Sequence, residues 1–334
     1  MDFFFSFFIF ILVLFLYIHI VAQYKTSEDL EIYEMDYTDN RHLQDICDLK
    51  QPILFRAPTI MNPIRPEEWT EKCAEHDIVM KSVADYYTVD NKESACDYVM
   101  MPYRAFHSLV SSDRNARYFT EKNHEFIEDA GFYGEYRDMD VSIKPPYIAK
   151  TTYDFIAGSA ECTTPMRYHI DSHRYFYVTS GKIRVKMTPY KSRKYLHVVK
   201  DYDHYEFWSP VNVWSPQESY RNDYDKLRFV EFDVVAGYIL YIPAYWFYSF
   251  EFVEKDSQIM GVIYNSSMNI LANLPHIARY YMQFSTTKQR VMDEFVNVDK
   301  VVDKVVDKVV DKVVDKVEEK EEVVAPFTKD STSI

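Results

Sequence analysis

The chain opens on an unbroken apolar run, turns to mixed and then to alternating patterns, and ends in a repeat. Residues 3–22, FFFSFFIFILVLFLYIHIVA, hold no acid, lysine or arginine, and His19 is their only ionisable side chain. At ~1.5 Å per residue, a helix over this run spans the ~30 Å hydrocarbon core of a bilayer. A cleaved signal peptide has a basic start and a shorter apolar stretch of roughly 7–15 residues. Here the start is Met1-Asp2. The pattern predicts an uncleaved membrane anchor over residues 1–23, with cleavage after Ala22 as the alternative. Lys25 is the only basic residue close to either end, which leaves the orientation open.

Residues 24–150 mix helical and strand patterns. Pro63 and Pro66 before EEWTEKCAEH mark a helix start with acids in its first turns. Gln51-Pro52-Ile53-Leu54-Phe55-Arg56 reads as a short buried strand. From residue 151 the texture becomes β. Tyr175-Phe176-Tyr177-Val178 leads into a turn at Ser180-Gly181, and Lys182 to Met187 alternates strictly. Period two puts Ile183, Val185 and Met187 on one face and Lys182, Arg184 and Lys186 on the other. Gly237 to Phe252 is rich in aromatic and β-branched residues, with Pro243 at a strand end or sheet edge. Strand and turn repeated at this spacing suit an antiparallel barrel or sandwich. Residues 271–295 read as helical. Over Val298–Val317 the unit V-V-D-K recurs, and on a helix that stripe drifts by ~40° per repeat. No lasting apolar face results, so 298–334 reads as a low-complexity tail.

Composition narrows the class. The 334 residues are 47% hydrophobic and 17% aromatic, enough for a substantial core. A formal net charge of −14 with no basic stripe argues against nucleic acid as a partner. Cys47, Cys73, Cys96 and Cys162 form no C-x-x-C pair, so a zinc site or disulfide framework is not indicated. Of only six glycines, Gly158, Gly181, Gly237 and Gly261 fall in the β region, where turns or close approach require them.

Two segments carry candidate chemistry. The first is Thr164-Pro165-Met166-Arg167-Tyr168-His169-Ile170-Asp171; the second runs from Gly237 through Ile242-Pro243-Ala244-Tyr245-Trp246 to Tyr248. His169 and Asp171, two apart on an extended segment, point the same way. Together the segments resemble the His-x-Asp and "G-D-x-L-x-I-P-x-x-W-W-H" motifs of the JmjC and cupin-like 2-oxoglutarate oxygenases. The resemblance spans roughly residues 50–285 and is nearest to the asparaginyl-hydroxylase branch. It is nearer still to cupin-like proteins of large DNA viruses. It implies a mainly β fold with flanking helices: a double-stranded β-helix of the jelly-roll type. Residues 24–150 would be its α/β entry and 151–297 its core and closing helices. It also implies Fe(II) and 2-oxoglutarate as cofactors and a protein substrate for hydroxylation. His169 and Asp171 would be metal ligands, and Arg184 or Lys186, with Thr164, would hold the anion.

The chain departs from that pattern at three positions. Tyr248 stands where the family has its second histidine. A phenol, with an ordinary pKa near ~10, is a poor ligand for ferrous iron. Ile183 stands where the family's 2-oxoglutarate lysine falls, and the neighbouring cations are displaced by one residue, which reverses their face. Tyr238 replaces the acid after the glycine. His173 would lie ~13 Å along a strand from His169, and His197 and His204 fall on a loop. Two readings stay open: an oxygenase-like enzyme with a degenerate metal triad, or an inactive cupin scaffold that binds or builds at a host or virion membrane. A cupin that holds another metal or a sugar-like ligand is a third.

Overall fold

Alternation of apolar and polar positions settles into two facing sheets, with helices over the outer face of one. The structure, a computed structural model, describes residues 2–59, 61, 63–87 and 98–286. The larger sheet contains β1 (Tyr33–Met35), β2 (Ile53–Arg56), β3 (Asp77–Ser82), β4 (Tyr98–Pro102), β5 (Tyr118–Thr120), β6 (Ile148–Gly158), β8 (His173–Ser180), β13 (Tyr238–Pro243) and β15 (Gln258–Ser266). The smaller contains β7 (Arg167–Tyr168), β9 (Lys182–Thr188), β10 (Val199–Asp201), β11 (Glu206–Trp208), β12 (Val230–Val235) and β14 (Phe247–Phe252). Their orders are β1-β2-β13-β8-β15-β6-β5-β3-β4 and β10-β11-β7-β14-β9-β12. Apart from the parallel β1–β2 pair, the strand pairings are antiparallel.

Period two sorts β8 between two cores. Phe176 and Val178 point at the smaller sheet and meet Ile183, Val185, Met187, Tyr248 and Phe250. Tyr175 and Tyr177 point away, into a core with Trp69, Phe126 and Tyr136 from the covering helices. A third apolar cluster, with Tyr168, Phe207, Tyr245 and Phe247, closes the far side of the smaller sheet under the 189–229 connection. Mainly β with flanking helices is thus the observed class. Met1–Arg290 form one unit, because β2 pairs with β13 and β5 with β6 across residue 150.

Several local expectations hold. The helix Pro66–Lys72 starts with Pro66 in its first turn, followed by Glu67 and Glu68, and ends with Lys72, an order that suits the helix dipole. In β9, Ile183, Val185 and Met187 are fully buried. Gly181 and Gly237 take φ of +66° and +92° at the turns that join β8 to β9 and β12 to β13. Cys47, Cys73 and Cys162 are buried free thiols, and burial pushes the Cys47 thiol up to about 12. The helical expectation for 271–295 is met by Ser267–Ala272 and Leu274–Thr286 as far as the described residues run. Cys96, the last residues of that segment and the 298–334 tail lie outside them. The amino-terminal helix, Asp2–Gln23, is long and apolar enough to cross a membrane, with a mean hydropathy of 2.7 over its most apolar 18 residues and that stretch unburied.

Candidate ligand cleft

Register brings the two motif segments together. Arg167 of β7 and Tyr248 of β14 are direct antiparallel partners, so their side chains share a face, and the guanidinium lies 5.6 Å from the phenol ring centre. The chain then leaves β7 through His169-Ile170-Asp171. Tyr245, at φ +66°, donates its backbone N–H to the His169 carbonyl at 2.8 Å and ties the β13–β14 turn to that loop. Tyr248 is buried between the sheets, with its ring 6.1 Å from that of His169 and 5.5 Å from Phe176.

The residue between these groups is Arg174. It leaves β8 on the same face as Phe176 and crosses to the smaller sheet. Its Nη1 donates to the Tyr248 hydroxyl at 3.0 Å and its Nη2 to Asp171 Oδ2 at 2.5 Å. Asn265 of β15 donates to the other Asp171 oxygen at 3.2 Å. Burial pushes the Asp171 carboxyl upward, but the Arg174 charge, His169 and these hydrogen bonds outweigh it and hold the group below its usual range. His169 donates from Nε2 to the Ile242 carbonyl at 3.0 Å, since a carbonyl can only accept. Its Nδ1 is then an acceptor, 3.7 Å from Asp171 Oδ2 and without a hydrogen bond. Burial, with Arg174 adding to it, lowers the imidazole to about 3, so His169 is neutral and the contact with Asp171 is not an ion pair.

A second polar cluster adjoins the first. Arg167 Nη1 donates to Glu121 Oε1, which also takes Lys81 at 3.1 Å. Lys81 reaches Glu206 at 2.5 Å, Lys122 reaches it at 2.7 Å, and the Tyr86 hydroxyl donates to it at 3.1 Å. Burial opposes ionisation of Glu206, yet Lys122, Lys81 and Arg167 keep it ionised far below the usual range. Arg167, His169, Asp171, Arg174, Glu206 and Tyr248 all line a chamber of about 290 Å³. Its walls at Lys122, Asp171, His204 and Tyr205 are shared with an outer cleft of about 890 Å³, bordered by Asn265, Asn269 and Asn273.

The other sequence candidates lie elsewhere. Arg184 and Lys186 stand on the far face of β9 from Ile183 and Val185. Arg184 pairs with Asp233 and Glu251, and Lys186 with Glu231 and the Trp214 ring. Arg184 is partly exposed and Lys186 lies over the Trp214 ring with 13% of its side chain exposed, so neither anion-holding candidate lines the chamber. Thr164 is fully buried, and its Oγ1 accepts from the Phe250 backbone N–H at 2.9 Å, a structural bond. His173 turns toward Tyr175 and Tyr241 in the helix-side core, His197 pairs with Asp223, and His204 lines the chamber but bonds Asp201. Among the described residues no group of three histidines, cysteines or acids converges as a metal site. Arg174 was not singled out from the sequence. The available signal was an arginine on the apolar face of a strand, in step with Phe176 and Val178. Compared with known proteins, the chain matches no family model and no curated protein.

Proposed function

We propose that this chain is a membrane-anchored, double-stranded β-helix protein of the cupin and JmjC-like kind, which uses its cleft for binding and not for iron-dependent oxidation. Strand order supports the architecture: β6-β15-β8-β13 faces β7-β14-β9-β12, so the chain alternates between sheets from β6 to β9 and again from β12 to β15, with β9 and β12 paired in one sheet, as in a jelly roll. The exposed apolar helix Asp2–Gln23 supports anchorage.

The observation that carries the non-catalytic reading is the Arg174 guanidinium bonded to both Asp171 and Tyr248. The residues present do not fit ferrous iron. Two of the three resemblance-implied ligands, Asp171 and Tyr248, are engaged by the Arg174 guanidinium, which leaves only the unbonded Nδ1 of His169 to offer a metal a lone pair. Tyrosine in the histidine position is consistent with this exchange. Its hydroxyl accepts from a guanidinium, whereas a metal-ligating imidazole would present a lone pair to a metal and nothing to arginine. What the cleft offers instead is a chamber lined by Arg167, Arg174 and Lys122 with their carboxylates, open to a wider vestibule.

Anaerobic titration of the full-length protein in detergent with ferrous iron, followed by a 2-oxoglutarate decarboxylation assay, tests the reading. The expected outcome is no stoichiometric iron binding and no turnover above the iron-only blank. Tight binding that His169→Ala abolishes would establish the oxygenase alternative.

A further inference from the structure

We infer that the short 3-10 turn Tyr190–Tyr195 is a second membrane contact, which lays its cations on anionic phospholipid headgroups beside the amino-terminal helix. The inference rests on the reading of Asp2–Gln23 as an anchor. The chain does not leave that helix as a free tether. Tyr24, the next residue, donates its hydroxyl to the Ala272 carbonyl at 2.6 Å and sets its ring 6.2 Å from Tyr245. Tyr245 in turn lies 5.2 Å from Tyr190, the first residue of the turn. Lys191 donates to the Glu28 carbonyl at 2.8 Å, and Ser27 N–H to the Lys50 carbonyl at 3.3 Å. The turn is thus fixed at the point where the helix ends.

Its sequence is Tyr-Lys-Ser-Arg-Lys-Tyr, with Lys191, Arg193 and Lys194 exposed. Among the described residues no carboxylate lies within ion-pair distance of these three. Neighbouring charges are Lys25, the acids Glu28 and Asp29 on the linker, and Lys226, which is paired with Asp223. Lys194 and Lys226 flank the Tyr195 ring at 4.7 and 5.3 Å. In a chain of net charge −14 this is a local excess of cations interleaved with tyrosines. Aromatic rings at headgroup depth and lysines or arginines over an anionic leaflet are the composition such a surface selects.

The test uses full-length protein in phosphatidylcholine vesicles with and without phosphatidylserine, lysine acetylation being read by mass spectrometry. Each cation close to an anionic leaflet is worth about fivefold in surface occupancy. Acetylation of Lys194 should accordingly fall by about that factor when phosphatidylserine is present, and recover in high salt. Lys255 is the reference. It is exposed on the turn after β14, where Val253 bonds Lys182 at the opposite end of β9 from the turn, and its labelling should not change. Protein that floats with both vesicles but shows equal Lys194 labelling overturns the docking and leaves the anchor intact. Protein that alkaline washing strips from both vesicles overturns the anchor reading itself.

Discussion

That Arg174 keeps a metal out of the cleft can be tested by removing the arginine. Consider Tyr248→His, Arg174→Ala and the double variant, each titrated anaerobically with ferrous iron. Tyr248→His restores the missing imidazole but leaves the guanidinium 2.5 Å from Asp171. Two unit charges ~4 Å apart interact by about 4 kcal/mol at an effective dielectric of ~20, and a dication doubles that. Arg174 would then oppose iron by about 8 kcal/mol if it stayed in place, over five powers of ten in affinity. It need not stay, because its side chain is 23% exposed and borders the chamber, so much of the repulsion is relieved by a swing toward water. The surviving effect should still be at least about a hundredfold, or roughly 3 kcal/mol. We expect Tyr248→His to bind little better than the native protein. The double variant should bind at least about a hundredfold more tightly than Tyr248→His. Arg174→Ala also leaves Asp171 with Asn265 alone, so near-ultraviolet circular dichroism must first show that the variants are folded. If Tyr248→His alone binds iron as tightly as the double variant, Arg174 is not what excludes the metal and the argument fails.

Two further expectations concern stability. Burial holds both His169 and His173 at about 3, so the unfolded chain takes up their protons below an ordinary pKa near ~6.5 while the folded chain does not. Their contribution is complete above that value and is lost as pH falls from it toward 3. Asp154, raised by burial to about 6, has the opposite sign between there and its ordinary value, because the folded state takes its proton first. Between pH 6 and 5 the balance of these three groups approaches one proton, about 1.4 kcal/mol lost per pH unit, and His276, lowered by burial, adds to the loss. Urea unfolding of His173→Gln should show that slope lowered by nearly one proton, and an unchanged slope would refute the assignment. In Gly158→Ala the new methyl would meet the fully buried Phe252 ring at 2.4 Å, so a loss of about 1–3 kcal/mol is expected. Gly134→Ala, where nothing lies within 4 Å and the backbone is helical, should instead gain up to about 1 kcal/mol. Urea midpoints that move in the same direction for both would count against the packing account.

Local chemistry made the scaffold legible. Alternation from Lys182 to Met187, glycines at the two positive-φ turns and Pro66 before an acidic first turn each fix geometry within a few residues, and each folds as read. The pairing of the two motif segments was also readable, because Tyr248 does come to lie beside His169. What could not be read is the partner of each polar group. Arg174 meets Tyr248 across 74 residues of chain, and Lys81 meets Glu206 across 125. Periodicity assigns a side chain to a face and is silent about what stands opposite. It placed Arg184 and Lys186 opposite Ile183 and Val185. Which of those faces packs between the sheets became clear only when β12 and β14 were set beside β9.

The buried charges raise a physical question of their own. Lys81, Glu121, Arg167 and Glu206 are each under a tenth exposed and bonded to one another in the space between strands. Such networks contribute little net stability, since desolvation consumes most of the Coulombic gain and apolar side chains of similar volume do as well. Removing one member is costly, however, because it strands the others. The cluster is therefore better explained by what it keeps open than by what it holds together. An apolar filling would close the space between the two sheets at core density. Fixed ion pairs that must each find a partner instead hold the walls of a 290 Å³ chamber at set distances, with Lys122 and Asp171 at the boundary with the outer cleft. The Arg174–Tyr248–Asp171 bridge belongs to the same logic, for it sets a covalently tethered cation between the two sheets. A wall so arranged keeps the chamber polar and charge-balanced, and its tethered guanidinium can swing toward water but cannot dissociate.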